Sequence, residues 1–188
     1  MRSTSAAMNH RKSLSRIGRE RLLLLFSLHP DGRLFWNRRP RSDFGSQQAF
    51  SMWNTRYAGI PAGRVRSYPY RTVIIRIDGD SYLAHRIIFY ISTGLEPVEI
   101  DHKNGDSLDN RPSNLRAASS SQNHCNRGAQ SNNKLGLKGV HRNGTGFSAQ
   151  IRFEGKKKHL GTFKTPEDAH EAYKNAVREM HGEFARVT

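Results

Sequence analysis

The sequence predicts an α+β chain, made of short antiparallel sheets that each carry a helix. Three observations lead there. Val73, Ile75 and Ile77 alternate with Ile74, Arg76 and Asp78, and Asp78-Gly79-Asp80 then turns the chain into a return strand at Tyr82-Leu83. A strand, a long polar loop, a second strand and a short helix follow in order over residues 98–126. Three further strands, 138–142, 147–153 and 157–163, precede an amphipathic helix over 166–181.

The elements follow in chain order. Residues 1–20 are expected to be a disordered basic arm, and Met1 to Arg19 contains no acid. Residues 21–28 form a short apolar stretch, helical or strand-like, closed by the turn His29-Pro30-Asp31-Gly32 and a return strand at 34–36. Residues 37–50 are expected to be a loop, with Trp53, Tyr57 and Ile60 as apolar points in a turn-rich region. Residues 84–93 are apolar enough for a buried helix, with Gly94 just past its end. Pro97 leads into a strand at 98–102, and residues 103–113 form a loop rich in Asn, Asp and Gly. Residues 115–117 are the second strand, and Ser119 or Ser120 caps a short helix that holds Asn123 and Asn126. Thr165 caps the last helix, Pro166 suits its first turn, and Glu167 and Asp168 meet its positive end. Its apolar stripe, Ala169, Ala172, Tyr173, Ala176, Val177 and Met180, must pack on something. The strand face Phe147, Ala149, Ile151 and Phe153 is the candidate, leaving Ser148, Gln150 and Arg152 outward.

Composition bounds the function. The net charge is +15, and the sequence pI is about 10.6. Such a balance favours a polyanion, nucleic acid first and an anionic membrane second. Ten Lys and Arg face two Asp and Glu in residues 1–42, ten face eight in 43–133, and eleven face six in 134–188. Basic flanks around a middle that holds half of the carboxylates suit a nuclease, because phosphate contacts and metal ligands need opposite charges. No run of about 18 apolar residues is present. The single cysteine, Cys125, excludes an internal disulfide and a Cys-rich zinc site, and fits a reducing cytosol.

Chemistry concentrates after Glu99. Asp101 and His102 sit together at a strand end, where strand geometry sends their side chains to opposite faces unless the backbone distorts. A carboxylate with the amide oxygen of Asn123 makes a hard ligand pair suited to Mg²⁺. A neutral imidazole beside them can take a proton from water. Asn114 can bond the backbone across the loop and hold His102 in place.

The segments IDHKNG (100–105), DNRPSNLR (109–116) and QNHCNR (122–127) resemble the His-Asn-His (HNH) homing endonucleases of phage and bacterial genomes. The likeness reaches back through LHPDGRLFW, WNTRYAG and YLAHRIIFYISTG. Residues 138–173, KGVHRNGTGFSAQIRFEGKKKHLGTFKTPEDAHEAY, resemble the Apetala-type DNA-binding domain of plant ethylene-response factors. The resemblance implies a nuclease domain over 21–133 with a ββα-metal core at about 97–128, preceded by a small antiparallel sheet and helix. It implies a reading domain over 134–188, a three-stranded antiparallel sheet packed on one helix. Asp101 and Asn123 would be ligands of one divalent metal ion, Mg²⁺ or Mn²⁺, with His124 open as the alternative to Asn123. His102 would be the general base, Asn114 its positioning residue, and Asn110 and Arg111 loop support or phosphate contacts. His141, Arg142, Gln150, Arg152, Lys157 and His159 would meet DNA from the sheet. Plant members carry Arg and Trp where this chain has His141 and His159, so the plant target does not carry over. The zinc-binding cysteine pairs of many nuclease relatives are absent.

The expected activity is hydrolysis of double-stranded DNA, leaving 5′-phosphate and 3′-hydroxyl ends. The partner is DNA alone, with no membrane or protein partner, for a monomer in the cytoplasm of a bacterial host or phage-infected cell. Two other readings stand beside it, a non-cleaving sequence-specific regulator and a structure-specific repair nuclease. Residues 134–188 are expected to fold alone, and their removal to leave the cleavage site intact.

Overall fold

The computed structural model describes residues 12–68, 70–128, 133–153 and 155–186. Among them it shows a mixed α and β chain with four small antiparallel sheets and five α-helices. The chain divides into two compact units, Met1–Glu96 with Asn110–Pro112, and Pro97–Asp109 with Ser113–Thr188. The boundary expected at residue 134 falls inside the second unit.

The first unit opens earlier than the basic arm allowed. Residues 12–20 are ordered, and only the first eleven residues of that arm lie outside the described ones. Leu14, on a 3-10 turn over Leu14–Arg16, is 1% exposed. Ser13 Oγ and the Leu14 amide donate to the Glu96 carboxylate at 2.6 and 3.0 Å. Burial raises the pKa of Glu96, but these bonds, the Ser15 amide and nearby Arg86 outweigh it and bring it below the ordinary value. An apolar side chain in a socket and a chelated carboxylate hold a segment that composition alone marks as solvated.

Helix α1 (Arg19–Leu25) runs directly into β1 (Phe26–Leu28), so the ambiguous stretch is both helix and strand. β1 pairs with β2 (Leu34–Trp36) around the 29–32 turn. A Cβ at Gly32 would lie 2.3 Å from the Arg111 amide nitrogen and 2.4 Å from the Asn110 carbonyl carbon, so the turn rests on that backbone. α2 (Gln47–Tyr57) departs from the expected loop and turns. Ser46 caps it by accepting from the Ala49 amide at 3.1 Å. Its Trp53 meets Trp36 at 5.3 Å, Tyr57 at 5.3 Å and Phe44 at 5.9 Å between ring centroids. Polar spacing hides this helix in the sequence, and aromatic packing pays for it.

β3 (Arg64–Arg66), β4 (Thr72–Ile77) and β5 (Asp80–Leu83) form one sheet. Asp78 and Gly79, at φ +47° and +91°, make the two-residue turn that the Asp-Gly pair predicts. β3 has all three residues exposed, so no alternation betrays it. α3 (Ala84–Thr93) ends at left-handed Gly94 as expected and packs on α1, β4 and β5. Its Ile87 and Ile88 are fully buried, each contributing roughly 1.5–3 kcal/mol.

In the second unit β6 (Glu99–His102) pairs with β7 (Leu115–Ala118) across the long loop. α4 (Ser120–Cys125) follows and packs on both strands. Ser119 forms a reciprocal capping box with Gln122, at 3.2 Å to the Gln122 amide and 2.8 Å back from the Ser119 amide. β8 (Val140–Asn143), β9 (Gly146–Phe153) and β10 (Lys156–Phe163) form the three-stranded sheet, with a bulge between His159 and Gly161. α5 (Pro166–His181) lies on its Ala149 and Ile151 face, and Thr165 caps it as expected. Cys125 from α4 joins Ile151, Tyr173, Ala176 and Val177 in one core. That shared core joins the strand–strand–helix segment to the sheet module.

Candidate active site

β6 runs regularly, with Asp101 opposite Arg116 and His102 opposite Leu115. No distortion brings Asp101 and His102 to one face. Alternation therefore puts Glu99 and Asp101 on one face and Ile100 and His102 on the other. The Glu99–Asp101 face is the one that α4 covers.

Asp101 is 3% exposed. Its Oδ2 accepts from Arg116 Nε at 2.8 Å. Asn126 Nδ2 lies 2.9 and 3.1 Å from the two Asp101 oxygens and 2.6 Å from the His102 carbonyl. One turn earlier, Asn123 Nδ2 donates to Glu99 Oε2, and Ser120 Oγ donates to Glu99 Oε1 at 2.8 Å. The arrangement is a pair of carboxylates on β6, each held by an asparagine of α4 or its cap. His124 turns away, its Nδ1 2.6 Å from the Ser120 carbonyl on its own helix. Of the two neighbours, Asn123 is the one on the β6 side.

Asn114 is 8% exposed and ties the loop shut. Its Nδ2 donates to Asn104 Oδ1 at 3.0 Å and to the Asp109 carbonyl at 2.7 Å, while its Oδ1 accepts from the Asn104 amide at 3.1 Å. Its carbonyl accepts from the Lys103 amide at 2.8 Å. These bonds fix the chain immediately after His102.

The donor chemistry fits a hard divalent cation. A carboxylate offers about four lone-pair sites, and the bonds to Asp101 above use one on Oδ1 and two on Oδ2. Asn123 spends its NH₂ on Glu99, which leaves its Oδ1 for a cation. Among the described residues no three His, Cys, Asp or Glu side chains gather into a metal cage, so such an ion would rest on carboxylate and amide oxygens together.

Arg116, Asn126 and Glu99 have no assigned part in the sequence reading. Alternation along β6 pairs Glu99 with Asp101, which was a usable signal. Arg116 needed the strand register, and Asn126 the docking of α4.

The residues expected to meet DNA divide between faces. Cross-strand register places Lys157 opposite Arg152, His159 opposite Gln150, and His141 opposite Ser148. Those five candidates therefore share the outer face. Arg142 stands opposite Phe147 and falls on the other face, its guanidinium 5.7 Å from that ring. A groove of about 880 Å³ runs between α4 and this sheet, lined among others by Arg127, Lys134, His141, Gln150 and Arg152, with no carboxylate among its described residues.

Residues 82–125 match the family model described as HNH endonuclease. The match runs from β5 to the last residue of α4 and takes in Asp101, His102, Asn114 and Asn123. It supports an HNH nuclease acting on DNA, a class that works with a divalent metal ion. No curated protein and no solved structure matches the chain. No helix of the described residues is long and apolar enough to cross a membrane.

Proposed function

We propose that the protein is a metal-dependent DNA endonuclease of the homing type, with residues 134–188 as its sequence reader. The observation that carries the reading is the HNH match over residues 82–125, the segment that holds Asp101, His102, Asn114 and Asn123. Asp101 and Asn123 would hold one Mg²⁺ or Mn²⁺, which would supply Lewis-acid stabilisation of the charge that develops on the scissile phosphate. The His102 imidazole would take the proton of the attacking water once the end of β6, where the strand gives way to the loop, turns it toward the Asp101 face, and Asn114 braces the loop that follows it. In-line attack leaves 5′-phosphate and 3′-hydroxyl ends. Lys157, Arg152, Gln150, His159 and His141 face the major groove, and Arg127 and Lys134 in the basic groove hold backbone phosphates.

Supercoiled plasmid tests the reading. Nicking or cutting with Mg²⁺ or Mn²⁺, silence in chelator, and a loss of about 10²- to 10⁴-fold in His102→Ala are expected. Cleavage that persists in excess chelator refutes it. Tight duplex binding without any cleavage identifies the alternative, a non-cleaving DNA-binding regulator.

A further inference from the structure

We propose that Arg116 is a positioning residue for Asp101, and that the C-terminal turn Gly182–Phe184 holds Arg116 in place. The inference rests on the metal-site reading of Asp101. Arg116 projects from β7 directly across from Asp101. The two side chains are 11% and 4% exposed, with Nε 2.8 Å from Asp101 Oδ2. Nη1 and the face of the guanidinium meet residues more than sixty positions later. Nη1 donates to the Glu183 carbonyl at 2.8 Å and reaches Glu183 Oε2 at 3.3 Å. The guanidinium carbon stands 3.7 Å from the centroid of the Phe184 ring, and Phe184 is itself 7% exposed. Arg186 Nη1, two residues on, lies 3.3 Å from the Asn104 carbonyl in the catalytic loop.

A planar guanidinium presents its donors in a rigid fork and stacks on aromatic faces, so three fixed partners leave it one orientation. Through Nε it then fixes which way Asp101 Oδ2 points, and Asn126 completes the grip. Oδ1, with its one bond from Asn126, is the Asp101 oxygen left with lone-pair capacity for a cation. The chain beyond α5 thereby enters the nuclease site without touching substrate. Groups that orient metal ligands typically change metal affinity or activity about 10- to 100-fold when removed.

The experiment measures Mn²⁺ binding to the full chain by electron paramagnetic resonance, beside Mg²⁺-dependent plasmid cleavage. Arg116→Ala should weaken Mn²⁺ binding about 10- to 100-fold, and Arg116→Lys, which keeps charge but loses the fork, should fall between it and the parent. Phe184→Ala keeps the Arg116 and Asp101 side chains but removes the ring that holds the guanidinium, should weaken binding about tenfold, and decides the matter if Arg116→Ala does not fold. Circular dichroism reports the fold of each variant. Folded Phe184→Ala or Arg116→Ala protein with parental Mn²⁺ affinity overturns the proposal, as does a parent chain that binds no Mn²⁺. A parent that binds Mn²⁺ but cuts no DNA refutes the nuclease reading instead, and leaves the Mn²⁺ comparison to judge Arg116.

Discussion

Gly139 lies against the face of Tyr173, so closely that a Cβ there would be 2.1 Å from a ring carbon. Its φ is +77°, a conformation that side-chain-bearing residues rarely adopt. Tyr173 is 3% exposed and anchors the core that also holds Cys125, and burial pushes its phenol well above the usual range. Gly139→Ala must therefore shift the ring or the β8 entry. A loss of about 2–4 kcal/mol is expected from strain and overpacking together. The urea midpoint at constant m-value measures it.

Lys138 makes a second tie. Its Nζ donates to the carbonyls of Cys125 and Arg127 and lies 3.4 Å from that of Arg186. It thus closes the C-terminal end of α4 from the sheet module. Burial brings its pKa below the ordinary lysine value, with Arg186 adding to the shift and Cys125 opposing it. Lys138→Met should cost about 1.5–3 kcal/mol by stripping charged donors from those carbonyls. Deleting residues 134–188 removes this tie and the core around Cys125 together. The shortened chain should lose metal-dependent cutting as well as affinity. A truncated chain that still cuts at the parental rate would show that α4 needs neither.

Thr72 Oγ1 is buried without a hydrogen-bond partner, on a residue 1% exposed at the start of β4. Replacing the hydroxyl with a methyl of the same shape removes an unmet polar group. Thr72→Val should stabilise the protein by about 1 kcal/mol, read as a raised melting temperature.

His181 is 6% exposed, packs edge-on to Phe153 at 5.2 Å and has an unpartnered Nε2. Burial brings its pKa below the ordinary 6.5, against an opposing hydrogen bond with the Arg152 backbone. The unfolded chain then binds a proton near pH 6.5 that the folded chain refuses until lower pH, so stability falls as pH drops through that window. His181→Leu should flatten the decline between pH 7 and 5.5. Equal slopes for both proteins in urea titrations would show that His181 does not titrate in this way.

The sequence by itself determined the elements whose patterns are local. The Asp-Gly turn, the buried helix ending at Gly94 and the capped helix at Pro166 each follow from residues within one or two turns of one another. The ordered motif around Asp101, His102, Asn114 and Asn123 was likewise legible, because its spacing is a property of the chain. Tertiary structure alone decided what those residues meet. α2 forms because Trp36 and Phe44 wait for Trp53, although its own composition is polar. The seat of Leu14 exists because Glu96 captures the chain eighty residues away. Arg116 reaches Asp101 through a strand register, and Phe184 reaches Arg116 from the far end of the chain. Neither contact leaves a periodic trace, since contacts between distant segments depend on how faces dock and not on spacing within any one of them.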